Sequence, residues 1–410
     1  MSKLDELIAE LCPDGVEYKE IAEIFELKNG YTPSKRNNDF WENGTVPWFT
    51  LNDIRTNGRL LDDSIQHVTE DGVKGGKLIP KGSIIMSTTA TIGEHALIKV
   101  DALTNQQITS FSLRTSYNNK LDIMFAFYYF FIYGEWCQKN ANQSGGMAII
   151  SLKKLKQFKI PLPPLPVQQE IVRILDNFTE LTAELTAELT ARRKQYEYYR
   201  DLLLTDLNED TVKWISLKEC TLPTSNIKWS LEDESTTYKY IDLTSVDREL
   251  HYITETQEIN KNNAPSRAQQ IVKAGDILFA TTRPLLKRYC LIDSEYDGQI
   301  CSTGFCVLRA NTDIVLQKWV LYHIASSSFY YHVEKYQQGA SYPAISDTNV
   351  KDYRIPVPPI EEQERIVAIL DRFDALCNDL TSGIPAEIEA RQKQYEYYRD
   401  KLLSFKEVTA

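Results

Sequence analysis

The sequence predicts a mixed α/β protein built twice. Two similar domains are separated by two long helices, which form an antiparallel coiled coil with pseudo-two-fold symmetry. Three observations predict this. Lys194-Gln-Tyr-Glu-Tyr-Tyr-Arg-Asp201 recurs letter for letter as Lys393–Asp400. Ile160-Pro-Leu-Pro-Pro164 returns as Ile355-Pro-Val-Pro-Pro359, and Ile171-Val-Arg-Ile-Leu-Asp176 as Ile366-Val-Ala-Ile-Leu-Asp371, both at an offset of 195. After the first proline strap, Ile171, Ile174, Leu175, Phe178, Leu181, Leu185 and Leu189 recur at the three- and four-residue spacing of an amphipathic helix.

The chain begins where the linker helix ends, because aligning Val16 with Val212 sets Asp5, Leu7 and Leu11 on Asp201, Leu203 and Leu207. Pro80–Thr89 aligns with Lys273–Thr282 at a shared glycine, Gly82 with Gly275, before an apolar run that reads as a turn into a buried strand. The apolar stretch Ile123 to Tyr133 is too short for a membrane span, which needs about 20 residues, and is aromatic enough to be a buried helix. Phe125–Phe131 and Trp319–Ala325 are matching helices. Gly145-Gly146 through Ser151 parallels Gly339-Ala340 through Ser346, a loop and then a polar helix start.

The straps at Pro161–Pro166 and Pro356–Pro359 suit an extended lead-in and a helix start. From about Val167 to about Leu207 no Gly or Pro intervenes, a helix of about 60 Å at about 1.5 Å per residue. Its second copy, Glu361 to Phe405, is interrupted at Ser382-Gly383-Ile384-Pro385. The boundaries expected are 1–160 for the first domain with a short N-terminal helix, 161–210 for the central helical spacer, 211–354 for the second domain and 355–410 for the C-terminal helical spacer.

Bulk properties narrow the function. The hydrophobic fraction is 42% and the charged fraction 25%, as in globular proteins. Seven cysteines without a Cys-x-x-Cys argue against disulfides or zinc, and the N-terminus lacks a signal core, so a cytoplasmic protein is expected. The formal net charge of −11 is unfavourable to nucleic-acid binding on average, though a local basic groove or a partner's field can offset it. His67, His95, His251, His323 and His332 lack metal-ligand spacing, and no metal is expected. Gly72-Val-Lys-Gly-Gly-Lys77 fails the phosphate-loop pattern, and no Asn-Pro-Pro-aromatic or Asp-Pro-Pro-aromatic tetrapeptide occurs. No catalytic residue is assigned.

On the proline straps with Gln169-Glu-Ile-Val172 and Glu364-Arg-Ile-Val367, and on the two octapeptide helices, the chain resembles the specificity (S) subunits of Type I restriction–modification systems. The resemblance covers essentially the whole chain. It implies two target recognition domains, each reading half of a split, asymmetric site in double-stranded DNA. It also implies a non-catalytic role and two methyltransferase (M) subunits as partners, with restriction (R) subunits left open. S-adenosylmethionine and ATP would belong to those partners, with no cofactor in this chain. Thr182-Ala-Glu-Leu185 directly before Thr186-Ala-Glu-Leu189 is similar to the tandem tetrapeptide of the IC branch, whose copy number sets half-site spacing. One more unit would lengthen the helix by about 6 Å and rotate the downstream segment by about 40°. The same tetrapeptides also read as plain helix-forming filler with Leu on the buried face.

Base reading needs Arg, Lys, Asn, Gln, Ser or Thr side chains. The first domain offers Lys35, Arg36, Asn52 beside Asp53, Arg55, Thr88, Thr89, Thr91, Gln106 and Gln107. The second offers Thr244 beside Ser245, Arg267, Thr281, Thr282, Arg283, Lys287 and Arg288. The paired threonines also fit strand-end turns whose hydroxyls satisfy backbone groups. Tyr196, Tyr199, Arg200, Tyr395, Tyr398 and Arg399 combine helix-pair packing with subunit contact. Two other classes stay open: a protein-binding coiled-coil adaptor without DNA specificity, and a DNA-modifying enzyme with unrecognised motifs.

Overall fold

The computed structural model describes residues 2–144, 147–207, 212–379 and 382–408. The chain divides into two compact units, residues 1–183 with 390–410 and residues 184–389. The segment 161–210 contains one helix, Leu165–Thr205, and the division between the units falls within it, between residues 183 and 184. The expected 210/211 boundary and Gly145-Gly146 lie outside the described residues.

In unit 1, α1 (Lys3–Leu11) starts at a Ser2–Asp5 capping box. Next comes a two-stranded antiparallel ribbon, Glu17–Glu20 on Lys159–Leu162, with Tyr18 opposite Pro161. A twisted five-stranded sheet is built on the buried strands Ile84–Ser87 and His95–Ile98, with Ile108–Leu113 beside them. A smaller sheet pairs Val46–Phe49 with His67–Val68 and Leu103–Thr104. Gly82 makes the turn into the buried strand at φ +80°, a conformation that β-carbon sterics disfavour in other residues. Against the larger sheet lies α2 (Ile123–Lys139), the expected aromatic helix, with Phe125, Phe127, Phe130 and Tyr133 buried. None of the helices among the described residues is long and apolar enough to cross a membrane.

Unit 2 repeats this plan. Lys213–Ser216 pairs with Arg354–Val357, placing Trp214 opposite Pro356. Gly275 (φ +88°) turns the chain into the buried strand Ile277–Ala280. The aromatic helix is here two helices, α4 (Gln317–Ala325) and α5 (Ser327–Tyr336), where Ser326 caps the second. The long helix Leu165–Thr205 is α3. The second helical copy is α6 (Ile360–Asn378) and α7 (Ile384–Leu402), broken where Gly383 and Pro385 predict. Gly383 leaves no room for a β-carbon: one would sit 2.6 Å from the Ala375 carbonyl oxygen.

The repeated residues dock the helices on the domains. Gln168 Oε1 accepts from the Asp122 amide (2.8 Å), and its Nε2 donates to the carbonyls of Lys120 (2.8 Å) and Pro163 (2.6 Å). Gln363, 195 residues on, accepts from the Leu316 amide (2.9 Å) and donates to Ile314 (3.1 Å) and Pro358 (2.9 Å). The hydroxyl of Tyr128 donates to Asp176 and that of Tyr322 to Asp371. In unit 1 the Phe178 ring of α3 stacks on Tyr398 of α7 at 5.7 Å; in unit 2 Tyr199 of α3 stacks on Phe373 of α6 at 6.3 Å.

Candidate nucleic-acid interface

The residues expected to read DNA fall into two groups: some are consumed by the fold, and others present polar ends. Thr88 and Thr281 belong to the first. Each ends a buried strand, each amide and hydroxyl meets one carbonyl (Gln107 at 2.9 and 3.3 Å; Gly304 at 2.8 and 2.9 Å), and each is largely buried. Strand-end satisfaction is therefore their observed role. Thr89 and Thr282 come next, at half-buried positions that bridge Ile149 and Ala344. Asp53 is 1% exposed and accepts from the Thr50 amide and hydroxyl and the Ile65 amide, each at 2.7 Å. It caps the helix Leu51–Asn57, while its neighbour Asn52 is exposed. Ser245 is likewise buried, with Thr244 exposed beside it. Arg288 donates to the carbonyls of Leu243 (2.9 Å) and Val246 (2.7 Å), so it holds the loop that carries Thr244.

The second group lies in loops. In unit 1, Lys35 and Arg36 are exposed, and Lys35 Nζ sits 5.6 and 5.8 Å from the rings of Trp41 and Trp48. These rings meet edge-to-face at 5.1 Å, and Trp41, with Asn38, Gln66 and His67, borders a shallow depression beside Lys35. Gln106 is exposed and accepts from the Thr32 hydroxyl, and half-buried Gln107 accepts from Asn105 Nδ2 at 3.4 Å. Thr91 is half-buried. Arg55 is held in a two-bond pair with Glu94 at 3.0 and 2.7 Å. In unit 2, exposed Arg283 lies 4.5 Å from the Tyr342 ring and Lys287 lies 5.1 Å from the Tyr330 ring. Both have left-handed backbone (φ +50° and +54°), flanking the turn Pro284–Leu286, and strained non-glycine residues cluster at functional loops. Arg267 is exposed on a separate turn. Sequence reasoning does not single out the aromatic partners Trp41, Trp48 and Tyr342; the signal for the first two is Lys35 and Arg36 with two tryptophans close behind.

The octapeptides split the same way. Tyr196, Arg200 and Arg399 are buried in their own units. Arg200 pairs with Asp201 (2.8 Å) and lies 5.7 Å from the Tyr196 ring. Arg399 pairs with Asp400 (2.7 Å) and Glu135 (3.6 Å) and lies 4.9 Å from the Phe131 ring. Burial pushes the Tyr395 hydroxyl up to about 12. The exposed members are Tyr198 (65%) and Tyr397 (63%), with Tyr199 and Tyr398 partly exposed beside them. Tyr198 in unit 2 and Tyr397 in unit 1 are thus the most exposed octapeptide tyrosines of their units. Among the described residues no group of three or more His, Cys, Asp or Glu is placed to hold a metal ion, and all seven cysteines are free and buried.

Known proteins resemble the chain over most of its length. A family model described as the Type I restriction modification DNA specificity domain matches residues 13–192 and again 215–390. The specificity subunit of the Type I restriction enzyme EcoprrI of Escherichia coli is 38% identical over 394 residues, 93% of each chain. The EcoR124I/EcoR124II specificity subunit of the same species is 38% identical over 273 residues, 62% of this chain and 65% of that one. Among solved structures, the HsdS subunit from Thermoanaerobacter tengcongensis is 36% identical over 47% of each chain with a TM-score of 0.39. The Type I S subunit from M. genitalium is 16% identical over 95% of this chain and 96% of that one, with a TM-score of 0.46.

Proposed function

From the premise that the chain belongs to the Type I restriction–modification DNA specificity family, as the specificity subunit, we propose that it reads a split, asymmetric site in double-stranded DNA with one half-site per unit. The observation that carries this is the family match falling once on each domain, with its frame repeated and its loops not. Gln168 and Gln363 make the same bonds, whereas Lys35 with its tryptophans and Arg283 with Tyr342 have nothing in common but charge and an aromatic neighbour. Different loops on one frame are what two different half-sites require.

The DNA-contacting residues in this reading are those with exposed polar ends: Lys35, Arg36, Asn52 and Gln106 in unit 1, and Thr244, Arg267, Arg283 and Lys287 in unit 2. Arg55, Thr89, Thr91, Gln107 and Thr282 lie at the margins of these loops. Thr88, Thr281 and Arg288 act through the backbone they hold. The chain supplies recognition and no catalysis. Two methyltransferase subunits dock on the helical regions through Tyr198, Tyr199, Tyr397 and Tyr398, and they hold S-adenosylmethionine; ATP belongs to restriction subunits where cleavage is part of the system. The tandem Thr-Ala-Glu-Leu units within continuous α3 set the spacer length.

The test is reconstitution with the methyltransferase and sequencing of methylated DNA. A bipartite asymmetric motif is expected, and chain alone with a labelled methyl donor transfers nothing. Transfer by the chain alone, or absence of any motif in the complex, sinks the reading. Inserting one Thr-Ala-Glu-Leu after Leu189 lengthens the spacer and leaves both half-sites unchanged.

A further inference from the structure

The duplication lets one unit serve as the reference for the other. Trp48–Leu61 aligns with Tyr240–Ile253 at an offset of 192, so His251 stands where unit 1 has Arg59. Along the aromatic helices the offset is 194, fixed by Tyr128 and Tyr322 bonding Asp176 and Asp371, so Ala325 stands where unit 1 has Phe131. At the offset of 195, Asp374 replaces Thr179.

In unit 1 this place is full. The Phe131 ring has the Arg59 guanidinium at 4.8 Å and that of Arg399 at 4.9 Å, and Arg59 Nη1 donates to the His95 carbonyl at 2.9 Å. In unit 2 the ring is gone. His251, shorter than arginine, stacks on Tyr289 at 3.8 Å. What is left is a cleft of about 580 Å³, bordered by Tyr196, Tyr289, Tyr322, Asp371 and Asp374. Asp371 is engaged by Lys318 (2.7 Å) and Tyr322, and Asp374 accepts from Asn378 Nδ2 at 2.9 Å. Burial holds the Asp374 carboxyl above its usual range and keeps His251, near 4, neutral at pH 7.

We propose that this cleft receives an arginine side chain from a partner protein subunit, its guanidinium stacked on the tyrosine faces and paired with Asp374. Tyrosine faces and a half-buried carboxylate together select a planar, weakly hydrated cation with a fork of donors, which is arginine rather than lysine. Unit 1 supports the choice, since the chain places its own arginine at the matching position. The proposal rests on the reading that subunits assemble on this chain, and it makes the two units unequal: unit 1 is closed by its own side chains, while unit 2 is open to a partner's.

The full-length chain, labelled at alanine methyls, is titrated with N-acetyl-arginine-N-methylamide, its neutral citrulline analogue and free arginine while methyl NMR is recorded. Saturable shifts are expected at Ala325 and Ala375, absent at Ala126 of unit 1, and at least tenfold weaker with the citrulline analogue. Asp374→Asn weakens the response at least tenfold, and Ala325→Phe, which restores the unit 1 ring, abolishes it; an unchanged signal from Ala310, buried in the core of unit 2, shows that each variant is folded. No saturable shift, an equal response to citrulline, or a full response in both variants overturns the proposal, and tighter binding of free arginine overturns the partner as its source. The titration contains neither DNA nor methyltransferase. A null result beside intact motif-specific methylation removes the pocket and leaves the function standing.

Discussion

At one cross-strand position the two units use different chemistry. The strands pair in the same register, with Ile84 opposite Phe111 in unit 1 and Ile277 opposite Leu308 in unit 2. One residue further out, unit 1 has Ser83 and Ser112, whose hydroxyls share a hydrogen bond of 2.8 Å. Unit 2 has Asp276 and Arg309, joined by two bonds of 2.8 and 2.7 Å with the carboxylate 1% exposed. The duplication has thus preserved the frame and let a neutral pair and a buried ion pair occupy equivalent places. The ion pair does not make unit 2 the more stable, because desolvation of both charges offsets most of their attraction. What differs is the penalty for breaking the pair.

That penalty is the largest effect expected. Arg309→Leu leaves a buried carboxylate facing apolar strands and is expected to destabilise unit 2 by about 3–5 kcal/mol. The double change Asp276→Ser with Arg309→Ser imports the unit 1 pair and is expected to recover most of the loss. Because each unit has its own core, hydrogen exchange at the strands Ile84–Ser87 and Ile277–Ala280 reads the two separately. A double variant as unstable as Arg309→Leu would show that the equivalence fails at this position.

Where the units agree, equal losses are expected. Gln168→Leu and Gln363→Leu each strand one buried amide and two carbonyls, at about 1 kcal/mol or more per group, so about 3 kcal/mol in the unit concerned. Exchange rates should rise in the mutated unit alone and by similar factors in the two variants. A loss in one unit and none in the other would mean that the two glutamines, identical in bonding, differ in what they support.

The frame was legible because it repeats. Glycine turns, proline straps, the aromatic helices and the break at Gly383 all arise from local rules acting twice on similar letters. The site was legible only as residue type. A polar letter in a loop reads the same whether its end is free, as at Arg283, or consumed by backbone, as at Arg288. Burial decides this, and burial depends on contacts such as Leu243 and Val246, more than forty residues away. The octapeptide tyrosines are ambiguous in sequence for the same reason: Tyr196 and Tyr198 are two residues apart, yet one faces the core and the other solvent.

Acid sharpens the comparison next. His95 is fully enclosed, and burial, with Arg59 nearby, drives its imidazole down to about 3; its register equivalent is Tyr289, which carries no charge in this range. A histidine with a depressed native value contributes no penalty above the unfolded value near 6.5 and an increasing one below it. Unit 1 therefore loses stability as pH falls from about 6.5 toward 3, by about 2 kcal/mol at pH 5. His95→Phe should flatten the dependence of unit 1 and leave that of unit 2, which arises from His251 and His323. An unchanged acid slope in unit 1 would show that other groups dominate it.

The smallest effect closes the comparison at its starting point. Ser112→Ala removes one neutral hydrogen bond and leaves Ser83, whose hydroxyl also donates to the Pro80 carbonyl at 2.6 Å. That second partner keeps the remaining hydroxyl satisfied, so the loss is the net value of a single bond, about 1 kcal/mol. Equilibrium exchange in unit 1 should show it against the much larger effect of Arg309→Leu in unit 2. A loss of about 3 kcal/mol, the low end of the range for breaking a buried ion pair, would instead mean that the hydroxyl pair is coupled to the strand register as tightly as the ion pair is. The two units would then differ in charge but not in the cost of disruption.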